Sequence, residues 1–120
     1  MGEEARELDQ GMVDAAMCII MDAGDARLEI ANCFGAIAEG NFGSCDAMLL
    51  KARRLLAKAH GQQTDIIQDE VEGILHQHPL LFIHAQDTLM AVNSEMNICR
   101  LMLEICKNYE TRLAALEKRG

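Results

Sequence analysis

His84 and Asp87 stand three residues apart in the segment Leu81-Phe-Ile-His-Ala-Gln-Asp-Thr-Leu-Met90. On a helix that spacing puts both side chains on one face. A neutral imidazole nitrogen is nucleophilic near neutral pH, and an N–P bond formed on it stays labile enough to be passed on. Helical side chains lean toward the N-terminus, so His84 is directed at an opening turn whose free N–H groups and dipole favour an incoming phosphate. Asp87 poses a different problem, because the line it occupies is otherwise apolar. If copies of that face pack together, their carboxylates meet, and like charges that close require protonation or a cation between them. A carboxylate-only cluster suits a hard divalent ion such as Mg²⁺.

Plainer readings stand beside these. A helix histidine at a seam is more often a hydrogen-bonded interface residue than a nucleophile, and an aspartate at i+3 is often only its local partner. His76, His78, His84 and Asp87 together also carry enough donors for a transition-metal site, although the first two fall in a loop and need not converge with the others. His60 lies beside an apolar stripe and reads as structural, and the eight methionines read as core filler.

The elements that must position these residues are helices. Half of the 120 residues are apolar, only four are aromatic, and Pro79 is the single proline. Small and straight-chain residues dominate and valine and threonine are scarce, which favours helix over strand. Two punctuating stretches, Glu39–Ser44 and Gly73–Pro79, divide the chain into three. Helix one is expected over about residues 9–39, with residues 1–8 a flexible tail. Its stripe is Met12, Ala16, Ile19, Ala23, Ala26, Ile30, Cys33 and Ile37. Asn41 or Ser44 can cap helix two, whose stripe runs Met48, Ala52, Leu55, Ala59, Gln62 and Ile66 and which ends near Gly73. Pro79 suits the first turn of helix three, which runs to about Lys118. Its seam, followed back from Ile105 through Leu101, Ile98, Ser94 and Ala91, lands on Asp87 and His84. The expected fold is all-α, a single domain over residues 1–120 forming an antiparallel up-down-up three-helix bundle. Long helices with wide apolar faces then imply a homotrimer with a coiled-coil-like core.

The net charge of −8 disfavours nucleic acid and anionic lipid as partners, since both demand a basic footprint. No apolar run is long enough for a span or a signal core. Five cysteines without a Cys-x-x-Cys pair read as reduced thiols in a cytoplasmic protein.

The segment around His84 resembles the signature of the enzyme IIA components of lactose/cellobiose-type sugar phosphotransferase systems, an apolar run followed by His-Ala-Gln-Asp-x-Leu-Met. Ile20-Met-Asp-Ala-Gly-Asp-Ala-Arg27 is similar to a second motif of that family, and Ala59-His-Gly-Gln-Gln-Thr-Asp-Ile-Ile-Gln68 to a third. The resemblance implies a phosphotransferase component in which His84 takes a phosphoryl group from the histidine phosphocarrier protein. His84 then passes it to a cysteine of enzyme IIB, for sugar uptake through the membrane enzyme IIC. It also implies a homotrimer in which three copies of Asp87 share one metal ion, with Gln86 and Thr88 in supporting positions. Thr88 departs from the histidine common in the family, Asn32 from a glutamate and Gly43 from an acidic residue. The alternatives are a helical adaptor or regulatory trimer in which His84 and Asp87 only set register, and the transition-metal bundle.

Overall fold

The computed structural model describes residues 2–74, 76, 77 and 79–120, with the side chains of all of these except residues 5–9. Three helices follow in order: α1 (Gly2–Ala38), α2 (Cys45–Val71) and α3 (Pro79–Arg119). α1 begins at Gly2, well before the start expected near residue 9, and its first turn carries Glu3 and Glu4, which favour the positive end of the helix dipole.

Both connections are closed by glycine. After α1, Gly40 takes a φ of +73°, which lets the Asn41 N–H donate to Ala36 O at 2.9 Å and the Gly40 N–H to Ile37 O at 3.0 Å. After α2, Gly73 does the same at +89°, with Ile74 donating to Asp69 O and Gly73 to Glu70 O, both at 3.0 Å. Such Schellman turns satisfy the last carbonyls, and the left-handed residue is strained for anything but glycine. At the start of α2 the expected side-chain cap does not form. Ser44 holds the N-cap place with helical φ and ψ of −97° and −7°, so its hydroxyl is not presented to the free N–H groups. Asn41 is drawn instead into the preceding turn through its backbone.

Ion pairs set the register between helices. Lys51 meets Glu29 at 3.0 Å and Lys58 meets Asp22 at 3.5 Å, so α2 runs antiparallel to α1. Arg27 forks onto both oxygens of Glu95 at 2.9 Å, and Cys99 Sγ lies 4.0 Å from Ile30 O, so α3 runs parallel to α1. The helices are staggered, and the molecule is a rod of 78 × 20 × 18 Å.

All eight residues of the α1 stripe are buried. On α2 the stripe is shifted by one residue at two of its six positions. Leu56 and Gln63 are buried, while Leu55 and Gln62, the residues expected there, are only half-buried. α3 turns a different line inward from the seam described above: Ala85, Leu89, Val92, Cys99 and Leu103 are buried, with Met96 and Cys106 packed against them. The seam residues Asp87, Ala91, Ser94, Ile98, Leu101 and Ile105 are exposed. α3 therefore has two apolar faces, one filled by its own bundle and one open.

Candidate functional site

Pro79 opens α3, and the helix carries His84 on its second turn. The side chain is exposed and borders an open depression of about 430 Å³ lined by Gln77, Pro79, Leu80, Leu81 and His84. The lining is apolar apart from Gln77 and the imidazole. Leu80 and Leu81 have no intrahelical acceptor for their N–H groups this close to the helix start, so the positive end of the dipole faces the same region. No carboxylate lines the depression, so an anion entering it approaches the free N–H end of the helix. The stagger fixed by Arg27 and Glu95 sets His84 level with Ala16 of α1. Leu80 and Ile83 are exposed on α3 within about one turn of His84 and give the imidazole an apolar surround.

Asp87 is exposed on the same face, one turn beyond His84. Within one subunit it therefore carries no desolvation cost; that cost arises only if the open face of α3 is covered. Among the described residues no group of three His, Cys, Asp or Glu side chains is arranged to hold a metal ion. A cation at Asp87 would need ligands from other copies. Of the four residues in the transition-metal reading, His78 lies outside the described residues, and His76 faces Asp69 at 3.8 Å.

The two supporting residues behave differently. The Thr88 hydroxyl donates to the His84 carbonyl at 2.9 Å, so its proton is used within the helix and only its lone pairs remain. Gln86, half-buried, lies two residues from His84, about 200° around the helix axis. It lies on the α2 flank of α3 while His84 lies on the α1 flank, so one subunit does not bring the two together.

Other polar residues of the resembling motifs act between helices. Arg27 reaches Glu95, whose two hydrogen bonds hold the guanidinium pKa above its ordinary value. Asp22 is buried against Lys58, with Oδ2 lacking any hydrogen bond beyond that ion pair. Asp22 was not singled out by sequence because it flanks the stripe between Met21 and Ala23; the lysine seven residues from Lys51, matching Asp22 seven residues from Glu29, is the signal that could have found it. His60 is exposed and borders an apolar groove between α2 and α3 with Arg53 and Asn93.

Residues 14–107 match the family described as "PTS system, Lactose/Cellobiose specific IIA subunit". The chain is 34% identical over 89 residues to the oligo-beta-mannoside-specific EIIA component of Bacillus subtilis, covering 74% of this chain and 81% of that protein. It is 29% identical over 89 residues to the lactose-specific EIIA component of Lacticaseibacillus casei, covering 74% and 80%. Among solved structures, the cellobiose-specific enzyme IIA from Bacillus anthracis superposes with a TM-score of 0.77 at 26% identity, over 82% of this chain and 90% of that one. PtcA from S. mutans gives 0.73 at 34% identity, over 78% and 91%.

Proposed function

The chain belongs to the lactose/cellobiose-type IIA components of the sugar phosphotransferase system, phosphocarriers in sugar uptake that work between the histidine phosphocarrier protein and enzyme IIB, and we propose that His84 is its phosphoryl acceptor and donor. The observation that carries this reading is an exposed imidazole on the second turn of α3, beside an open depression at the positive end of the helix. One ring nitrogen attacks phosphorus on the phosphohistidine of the donor, forming an N–P bond as the donor's N–P bond breaks. The other ring nitrogen keeps its proton. In the second transfer a cysteine thiolate of enzyme IIB attacks the same phosphorus, an S–P bond forms and His84 is released. Both steps need in-line access to one nitrogen, which an exposed side chain in an open depression allows. Incubation with phosphoenolpyruvate, enzyme I and the phosphocarrier protein should yield an acid-labile, base-stable phosphoprotein. Label taken up by His84→Ala would overturn the assignment.

We further propose that the open face of α3 joins three copies, with Asp87 of each meeting at the axis around one divalent ion, Mg²⁺ by the chemistry of a carboxylate-only donor set. The exposed Ala91, Ile98, Leu101 and Ile105 support this, since an apolar line of that length on a soluble helix favours a partner. In such an assembly Gln86 of one subunit is on the flank that turns toward its neighbour, where it can serve the neighbour's site. No helix is long and apolar enough to cross a membrane; cytoplasmic action, at the inner side of the transporter, fits the phosphoryl donor and acceptor. The sugar is a disaccharide on this reading.

A further inference from the structure

α3 continues past the bundle. Residues 107–119 are helical and exposed throughout; they pass the α1–α2 connection, whose Gly40 lies beside Glu110, and run on beyond it. Three large apolar side chains stand open there, Tyr109, Leu113 and Leu116, each more than half exposed. They repeat Ile98, Met102 and Ile105 at an interval of eleven residues. An eleven-residue repeat, about 3.67 residues per turn, stays on one line of a nearly straight helix. Followed upstream, that line passes Ala91, Asp87 and His84, so the overhang extends the open face that carries the site.

We infer that residues 108–119 form a parallel helical contact with the same segment of other copies of this chain. The charges beside the stripe select that occupant and that direction. Arg112 borders it on one side, and Glu110 and Glu117 on the other. When identical helices pack in parallel about an axis, one flank of each meets the opposite flank of its neighbour, with partners about five residues apart. Arg112 of one copy then meets Glu117 of the next. Antiparallel packing would instead bring like flanks together, setting Arg112 and Arg119 against their own kind. Arg112 is already held at the stripe's edge, its guanidinium 5.7 Å from the centre of the Tyr109 ring. The family match ends at residue 107, so family membership does not cover this segment. The inference rests on the parallel packing of α3 in the proposed trimer, and not on the phosphoryl chemistry.

Sedimentation equilibrium of the full chain tests it, with label uptake at His84 measured on the same samples. Leu113→Asp combined with Leu116→Asp should weaken assembly about tenfold or more. Arg112→Glu should weaken it too, and adding Glu117→Arg should restore the wild-type constant to within about threefold. Unchanged constants for the leucine variant, or a charge reversal that is not rescued, would overturn the inference while leaving the phosphocarrier reading intact. Wild-type chain that assembles as expected yet takes no label would sink the phosphocarrier reading alone. A monomer at every concentration overturns both the overhang contact and the trimer.

Discussion

Raising the pH from 8 to 11 should destabilise this bundle through three thiols. Cys33, Cys45 and Cys99, one from each helix, are fully buried. Cys33 sits between the other two and hydrogen-bonds with both, and Cys45 Sγ lies 3.8 Å from Cys33 O. Burial, with a smaller push from its bond to Cys99, drives the Cys33 thiol from an ordinary 9.0 up to about 11. Burial, then the bond with Cys33, drives Cys45 to about 11 as well, and burial raises Cys99. The folded state thus prefers these thiols protonated. Below pH 9 both folded and unfolded chains hold the protons, and the stability they contribute is fully present. Between pH 9 and 11 the unfolded chain releases protons that the folded chain keeps, so stability falls. Each of the two larger shifts corresponds to roughly 3 kcal/mol once pH passes 11. Because the thiols are neighbours, ionising one makes the next harder, and a combined loss of about 3 to 5 kcal/mol is expected. Against a domain stability of roughly 5–15 kcal/mol, that is enough to move a urea midpoint substantially. Urea unfolding in reductant at pH 8, 10 and 11 measures it, with Cys33→Ala/Cys45→Ala as the reference that shares every other alkaline titration. If wild type and variant lose stability in parallel, to within about 1 kcal/mol, the reasoning is wrong.

Two further outcomes follow from the ion pairs and the open face. Asp87→Leu should leave the assembly equally or more stable in thermal melts and should abolish bound divalent metal, because it replaces like charges at the axis with an apolar side chain; outright monomerisation would contradict this. Arg27→Ala should cost no more than about 1 kcal/mol in urea unfolding, since both partners of its fork onto Glu95 are about half exposed and water screens the pair. A much larger loss would mean that the pair is shielded by an element outside the single subunit.

How far the sequence could be read depended on how many partners each helix has. α1 buries one stripe against both other helices, and its periodicity named that stripe residue by residue. α2 is packed mainly from one side and borders an open groove on the other, so Leu55 and Leu56, and again Gln62 and Gln63, compete for the inward position. The pattern alone could not choose between them. α3 is apolar on two faces, and periodicity does not say which of them its own subunit covers. The line with His84 and Asp87 was conspicuous because it is chemically odd; the line with Leu89, Val92 and Cys99, ordinary in composition, is the one turned inward. The glycines were readable because a positive φ has few other tenants, while the capping serine was not, since its role depends on a backbone angle that composition does not set.

The same two-faced helix shapes the site. One subunit supplies an exposed imidazole, an apolar surround and the helix N-terminus, but not Gln86, which sits on the far flank, and not a free donor at Thr88, whose hydrogen bond runs back to the His84 carbonyl. If phosphate on His84 is steadied by a side-chain donor, that donor has to come from outside the subunit. Thr88→Ala then removes only a bond internal to the helix, leaving phosphoryl uptake near wild type, whereas Gln86→Ala lowers it in the assembled protein. The reverse ranking, Thr88 more sensitive than Gln86, would place the steadying group within a single chain and remove the chemical reason for the site to lie on an assembling face.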